Sequence, residues 1–230
     1  MRVIGMIGGM SWESTAEYFR LANELVRERL GGFHSARIVL TSVDFAEVER
    51  LQAAGDWDAA GLLLADEARR LGAAGADLVV LCTNTMHKVA EVVAGAVDVP
   101  FLHLADTTAA AVRGAGLRTV GLLGTRFTME QAFYRDRLAA HGLEVLVPDA
   151  PGRELVHRVI YEELVRGLVR DESRAAYGAV MADLVSAGAE GIVLGCTEIE
   201  LLVGADDVPV PVFPTTRLHV EAAVARALAD

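Results

Sequence analysis

The sequence predicts an α/β chain built of two similar halves, and three observations predict it. Short apolar runs alternate with stretches of helical periodicity, the signature of βαβ units on a parallel sheet. The same order of elements starts again at Gly116. The only two cysteines, Cys82 and Cys196, stand 114 residues apart at matching places, each closing an apolar run and each followed by threonine. At 230 residues, with 53% hydrophobic and 23% charged side chains, the chain can bury one large core or two small ones and is not disordered.

The first strand is expected over residues 3–7. Gly8, Gly9, Met10 and Ser11 follow as a turn, with Ser11 capping a helix over 13–30 that Gly31 and Gly32 stop. Such a turn can present backbone N–H groups to an anion. It is not a dinucleotide fingerprint, because the third glycine is missing, nor a P-loop, because no Gly-Lys-Ser/Thr follows. A second strand is expected over 37–40, then a short mixed helical segment over 45–56 carrying Glu47, Glu49, Arg50 and Gln52. The spacing of Leu62, Leu63 and Leu71 predicts a helix over 58–74, closed by Gly75. The third strand, 78–81, runs straight into Cys82, Thr83, Asn84 and Thr85. A helix over 86–96, a strand over 99–104 and an alanine-rich helix after Asp106, Thr107 and Thr108 complete the half.

In the second half a strand over 118–123, a turn at Gly124 and Thr125 and a helix over 129–141 repeat the opening. A strand over 145–147 and helices over 153–169 and 174–187 follow. GIVLGCTE then answers LVVLCTN, and residues 211–216 answer 100–108. Four features recurring in order indicate an internal duplication, and two copies are too few for a solenoid. Right-handed crossovers gather the loops after parallel strands at one edge of each sheet, where open α/β folds hold ligands. Gly8, Ser42, Cys82 and Asp106 then share one rim, and Gly124, Cys196 and Thr215 another. If the halves pack with those rims facing, the two thiols approach one cleft from opposite sides.

Composition excludes several functions. Thirty-two acids against 21 bases give a net charge of -11, and Lys88 is the single lysine. An acidic surface repels phosphate backbones and anionic lipid, so neither nucleic acid nor a membrane surface is an expected partner. No basic run is interleaved with aromatics, and no apolar run approaches a membrane span. The start, MRVIGMIGG, reaches glycine too soon for a secretory h-region, so a cytoplasmic protein with free thiols is expected. His34, His103, His157 and His219 are scattered without zinc-ligand spacing, and neither a metal nor a cofactor is expected. His87 reads as a satisfied packing contact rather than half of a Cys-His pair. Trp12, Tyr18 and Phe19 read as core or subunit interface.

The chemistry rests on the two thiols. A thiol at the start of a helix lies beside unpaired backbone N–H groups, which favour the thiolate and lower its pKa. Two such thiols, one ionised and one protonated, can remove a proton from one face of a carbon and return one to the other. The reverse reaction needs the states exchanged, which suits two identical groups. Thr83, Asn84, Thr85 and Thr197 are compact donors suited to a carboxylate held between the thiols, and Gly8, Gly9, Gly124 and Thr125 offer further backbone donors.

GMIGGMSWEST (5–15), CTNTMHK (82–88), VHRVIYEEL (156–164) and GCTEI (195–199) resemble the aspartate/glutamate racemase family at matching spacing over essentially the whole chain. The resemblance implies a cofactor-independent racemase of two pseudo-symmetric three-layer domains. Each would have a four-stranded parallel sheet, with the active site in the interdomain cleft and a homodimer as the assembly. It also implies that the last helix returns to the first domain, giving domains over 1–104 plus 216–230 and over 105–215. Carried over, Cys82 and Cys196 are the acid/base thiols, and Met10, Thr83, Asn84, Thr85 and Thr197 line the pocket for the α-carboxylate and ammonium groups. Gln52 falls where members of broader specificity have a ligand-contacting glutamine, and Arg166 near the place of a basic residue that meets an acidic side chain.

Aspartate-selective relatives have an asparagine- and proline-rich loop after the second strand, whereas this chain has SVDFAEVERLQ (42–52), as in racemases acting on both acidic amino acids or several others. Arg50 is expected to pair with Glu47 on a solvated surface, with an inward anchor as the alternative. The expected substrates are aspartate and glutamate or a broader set of amino acids. An isomerase of another small carboxylate, like the maleate isomerases of the wider superfamily, and a binding protein without turnover are the rival readings.

Overall fold

The structure, a computed structural model, describes residues 1–229; the expected end of the first domain at residue 230 lies outside them. The chain divides into two compact units, Met1–Leu104 with His219–Asp230, and Ala105–Leu218.

The first unit runs β1 (Ile4–Gly8), α1 (Trp12–Leu30), β2 (Ile38–Ser42), α2 (Phe45–Ala54), α3 (Trp57–Ala73) and β3 (Leu78–Leu81). A 3-10 turn (Thr85–Val89), α4 (Ala90–Ala94) and β4 (Phe101–Leu102) follow. Its strands are all parallel in the order β2-β1-β3-β4. β1 and β3 are buried along their whole length, as expected of central strands covered on both faces. Ile4, Met6, Leu78, Val80 and Cys82 pack with Tyr18, Leu21 and Leu25 of α1, and with Val220, Val224 and Ala227. Ile7, Val79 and Leu81 turn to the opposite face, against Leu51, Leu64, Leu71 and Met86. The alternation gives three layers.

The second unit repeats the plan through α5 (Leu104–Gly114), β5 (Thr119–Gly124), α6 (Arg126–Glu130), α7 (Ala132–Ala140), β6 (Glu144–Leu146) and α8 (Ala150–Glu162). It continues through a 3-10 turn (Leu164–Arg166), α9 (Asp171–Ser186), β7 (Gly191–Gly195), two 3-10 turns (Thr197–Leu201 and Ala205–Asp207), β8 (Val212–Pro214) and α10 (Thr215–Leu228). The order β6-β5-β7-β8 reproduces that of the first sheet, again parallel. Ile192 and Leu194 join Val156, Ile160, Tyr177 and Leu184 in one cluster, while Val120, Leu122 and Val193 are buried at alternate positions. The boundary between the units falls inside α10, whose residues from His219 onward belong to the first unit.

Three expected helices are broken. Over 86–96, the Thr83 carbonyl that an α-helix would offer to the His87 amide is taken by the His87 ring, Nδ1 to O 2.7 Å. The amide turns instead to Asn84 O at 3.1 Å, an i to i+3 bond that makes the turn 3-10. Over 129–141, Gln131 is extended and separates α6 from α7. Over 153–169, α8 begins earlier, with Asp149 accepting from the Gly152 amide. It stops at Glu162, and Gly167 closes the following turn in the left-handed region. The strand expected over 99–104 has only two residues, because Pro100 has no N–H to give and α5 begins at Leu104, so Asp106, Thr107 and Thr108 lie inside α5.

Candidate active site

In the first unit, Gly9 turns the chain between β1 and α1 with φ +95°. A Cβ there would fall on the backbone of Val43, so the position requires glycine in both conformation and space. Its N–H donates to Thr15 Oγ1 at 2.8 Å, and Thr15 Oγ1 donates to Ser11 O at 2.8 Å. That amide is therefore committed internally rather than offered to a ligand, which corrects the donor role expected of it.

β3 ends in Cys82, wholly buried, whose N–H donates to Ile7 O at 2.9 Å. Thr83 is half-buried, and Asn84 and Thr85 are buried. The buried His87 fastens this stretch. Its Nε2 accepts from the Leu104 amide at 3.1 Å, so Nδ1 carries the proton given to Thr83 O, and the ring is neutral. Gln52, buried on α2, donates from Nε2 to Met86 Sδ at 2.9 Å, which ties it to the turn after the thiol. Met10 is buried in the same cluster as Met86. Met10, Gln52 and the stretch from Cys82 to Thr85 are thus gathered within this unit, whereas Glu47, Glu49 and Arg50 are exposed.

In the second unit, Cys196 follows β7 and is half-buried. Its Sγ donates to Glu198 Oε2 at 2.9 Å, and Glu198 is itself buried. Glu198 was not singled out by the sequence reasoning. The two-residue spacing in Cys-Thr-Glu was a visible signal, but the carboxylate returns to the thiol only because a 3-10 turn follows the strand. Thr197 Oγ1 lies 2.8 Å from Thr216 Oγ1, and Thr215 Oγ1 donates to Leu194 O at 2.8 Å. At the end of β5, Thr125 caps α6 by accepting from the Thr128 amide at 3.3 Å. The turn Leu164–Arg166 contacts the turn Thr197–Leu201, and Leu164, Ile199 and Leu202 share one buried cluster. Arg166 is exposed on it rather than helical.

The electrostatics correct a second expectation. Five-residue 3-10 turns follow the thiols, too short to present the aligned amides of an α-helix N-terminus. Burial pushes the Cys82 thiol up. Cys196 is also raised, first by burial and then by the charge and hydrogen bond of Glu198, with Glu200 adding to it. Both groups therefore rest as thiols, not thiolates. Among the described residues no group of three or more His, Cys, Asp or Glu could hold a metal ion, and no helix is long and apolar enough to cross a membrane.

Two copies of a four-stranded parallel α/β unit, each closing its third strand in a cysteine, have the two-domain racemase fold. The chain belongs to the Asp/Glu/Hydantoin racemase family, whose model matches residues 7–223. It is similar, with 53% identity, complete coverage of both chains and a TM-score of 0.95, to a candidate Asp/Glu racemase from Yersinia pestis. An aspartate racemase homologue from Pyrococcus horikoshii OT3 is 33% identical, again with complete coverage of both chains, at a TM-score of 0.89. Curated relatives match in part. The broad specificity amino-acid racemase RacX of Bacillus subtilis (strain 168) is 24% identical over 76% of this chain and 75% of its own length. An uncharacterized Pectobacterium carotovorum subsp. carotovorum protein is 31% identical over 44% of this chain, and the match spans 66% of that relative, just under two thirds.

Proposed function

We propose that the chain is a cofactor-independent amino-acid racemase in which Cys82 and Cys196 are the two acid/base groups. The observation that carries this reading is their equivalence: one thiol closes β3 and the other β7, in two copies of the same sheet. Two-base racemisation requires them to flank one bound α-carbon. Starting from resting thiols, Cys196 passes its proton to Glu198 Oε2, and the thiolate takes the α-proton. Cys82 then delivers its own proton to the other face, leaving Cys82 as the thiolate, ready for the reverse direction. Thr83, Asn84, Thr85 and Thr197 hold the α-carboxylate and ammonium groups, and Met10 lines the pocket. Glu198 adds a proton acceptor at one thiol and makes the pair unequal.

The proposed substrates are aspartate and glutamate or a broader set of amino acids. Arg166, on the turn packed against that of Cys196, is the proposed partner of an acidic side chain. The exposed Arg50 favours the surface alternative, and the buried Gln52 together with the similarity to RacX favours breadth. A cytoplasmic location and a homodimer belong to the same proposal. The test is solvent-deuterium incorporation at the α-carbon over a panel of L- and D-amino acids. Exchange with at least one of them is expected, lost in Cys82→Ser and in Cys196→Ser. A panel without any exchange sinks the reading.

A further inference from the structure

Between α8 and the start of α9 the second unit has a cleft of about 530 Å³ that includes none of the residues proposed to touch the substrate. Glu163 lines it and is only 5% exposed. An ionised carboxylate is costly to bury unless both of its oxygens are satisfied. Ser173 Oγ donates to Oε2 at 2.6 Å, but Oε1 accepts no hydrogen bond among the described residues, and the Arg170 guanidinium stands 3.9 Å from it. Arg158, which also lines the cleft, is no better held, with Nη1 3.9 Å from Glu162 Oε2. Arg137 and Arg153, by contrast, reach their carboxylates at 2.7 and 2.9 Å. The guanidinia of Arg158 and Arg170 are about half exposed and keep their donors for an incoming anion.

Charge selects the ligand. Two guanidinia line the cleft against the two carboxylates of Glu163 and Glu172, and the charges cancel. A simple anion would meet both carboxylates and a simple cation both guanidinia, whereas a zwitterion offers each group its complement. The rest of the wall, Leu155, Val159 and Ala176, is aliphatic. An α-amino acid with an uncharged aliphatic side chain matches all three parts.

We propose that this cleft is a second amino-acid site, taking a neutral aliphatic α-amino acid as an effector. The ammonium donates to Glu163 Oε1, and the carboxylate accepts from Arg158 and Arg170. The peptide oxygen of Glu163 accepts from the Arg166 and Leu168 amides at 2.9 and 3.0 Å, so Glu163 already holds the turn that carries Arg166. A ligand joining Glu163 to Arg170 ties both ends of residues 164–169 and so fixes Arg166 for an acidic substrate. Only this effect on the substrate rests on the racemase reading; binding requires no turnover.

Binding is measured in the Cys82→Ser, Cys196→Ser chain by calorimetry with L- and D-leucine, and located by hydrogen exchange. Saturable binding of at least one enantiomer is expected, with slowed exchange over residues 155–163 and 170–176. Leucine stripped of its amino group, 4-methylpentanoate, is expected to bind about 10-fold more weakly, the worth of one charge-assisted hydrogen bond. Glu163→Gln keeps an oxygen for Ser173 but loses the charge, and is expected to reverse the order so that 4-methylpentanoate binds more tightly than leucine. A merely structural Glu163 would weaken both ligands alike. Arg170→Glu is expected to abolish binding of both. Absent binding, protection confined to the turns after residues 82 and 196, or an order of ligands unchanged by Glu163→Gln overturns the site. With both cysteines in place, leucine is expected to lower the KM for aspartate or glutamate about fivefold at unchanged kcat, and to have no such effect in Arg170→Glu. Competition at the thiols would raise KM instead, and a KM that stays or rises overturns the effector role. A chain without turnover fails the racemase reading alone, and the binding results still decide the site.

Discussion

At the scale of single residues, the two thiols differ in what surrounds them. Cys82 is raised by burial alone, whereas Cys196 is raised by burial and by the Glu198 carboxylate 2.9 Å away. Replacing that carboxylate with an amide removes a negative charge from beside a developing thiolate, so the Cys196 pKa must fall. In Glu198→Gln, the pH profile of Cys196 alkylation by iodoacetamide, followed by peptide mass spectrometry, is expected to move to lower pH while that of Cys82 stays in place. Racemisation is expected to slow roughly 100-fold, as when a positioned proton acceptor is lost. An unmoved Cys196 profile would remove Glu198 from the mechanism. That Cys82 and Cys196 directly follow apolar strands, with Thr83, Asn84, Thr85 and Thr197 after them, was legible in the sequence because the duplication marks the equivalent places. Glu198 was not, because the contact depends on the path of a 3-10 turn that local sequence pattern does not specify. The rise of both thiols, against the lowering expected at a helix start, was hidden for the same reason, since it hinges on turn length and burial.

At the scale of elements, β4 is held by two histidines of opposite tautomer. His87 accepts from the Leu104 amide, and His219 of α10 lies 3.0 Å from Leu102 O through Nε2 and 3.0 Å from the Tyr18 hydroxyl through Nδ1. A carbonyl can only accept, so Nε2 of His219 bears the proton and Nδ1 accepts from tyrosine. Burial, with His103 adding to it, lowers the His219 pKa to about 4. Unfolded histidine titrates near 6.5, so between these values the unfolded chain binds the extra proton and stability is lost as pH falls. The ceiling is about 3 kcal/mol. Urea unfolding of the wild type and of His219→Gln is expected to show a stability gap at pH 7 that narrows as pH falls from about 6.5 to about 4. A gap independent of pH would contradict this tie. Strand and helix alternation predicted the sheets, because apolar runs bounded by glycine carry that information. The broken helix after Cys82 was hidden, because its cause is the His87 ring taking the Thr83 carbonyl, and the Leu104 amide, donating to Nε2 from a distant part of the chain, fixes the ring that does so.

At the scale of the whole molecule, duplication explains why one chain carries two thiols in equivalent frames, and the family match extends over nearly the full length. The central claim is that two groups, not one, move the proton. Its most direct test is racemisation of an L-amino acid in D₂O, stopped at low conversion, with α-deuterium measured separately in the D-product and the recovered L-substrate. Two thiols on opposite faces, each exchanging its proton with solvent, should give a fully deuterated D-enantiomer and an L-enantiomer that still carries protium. Protium retained in the product, or deuterium entering both enantiomers at equal rates, would mean that a single group serves both faces and would contradict the paired roles of Cys82 and Cys196.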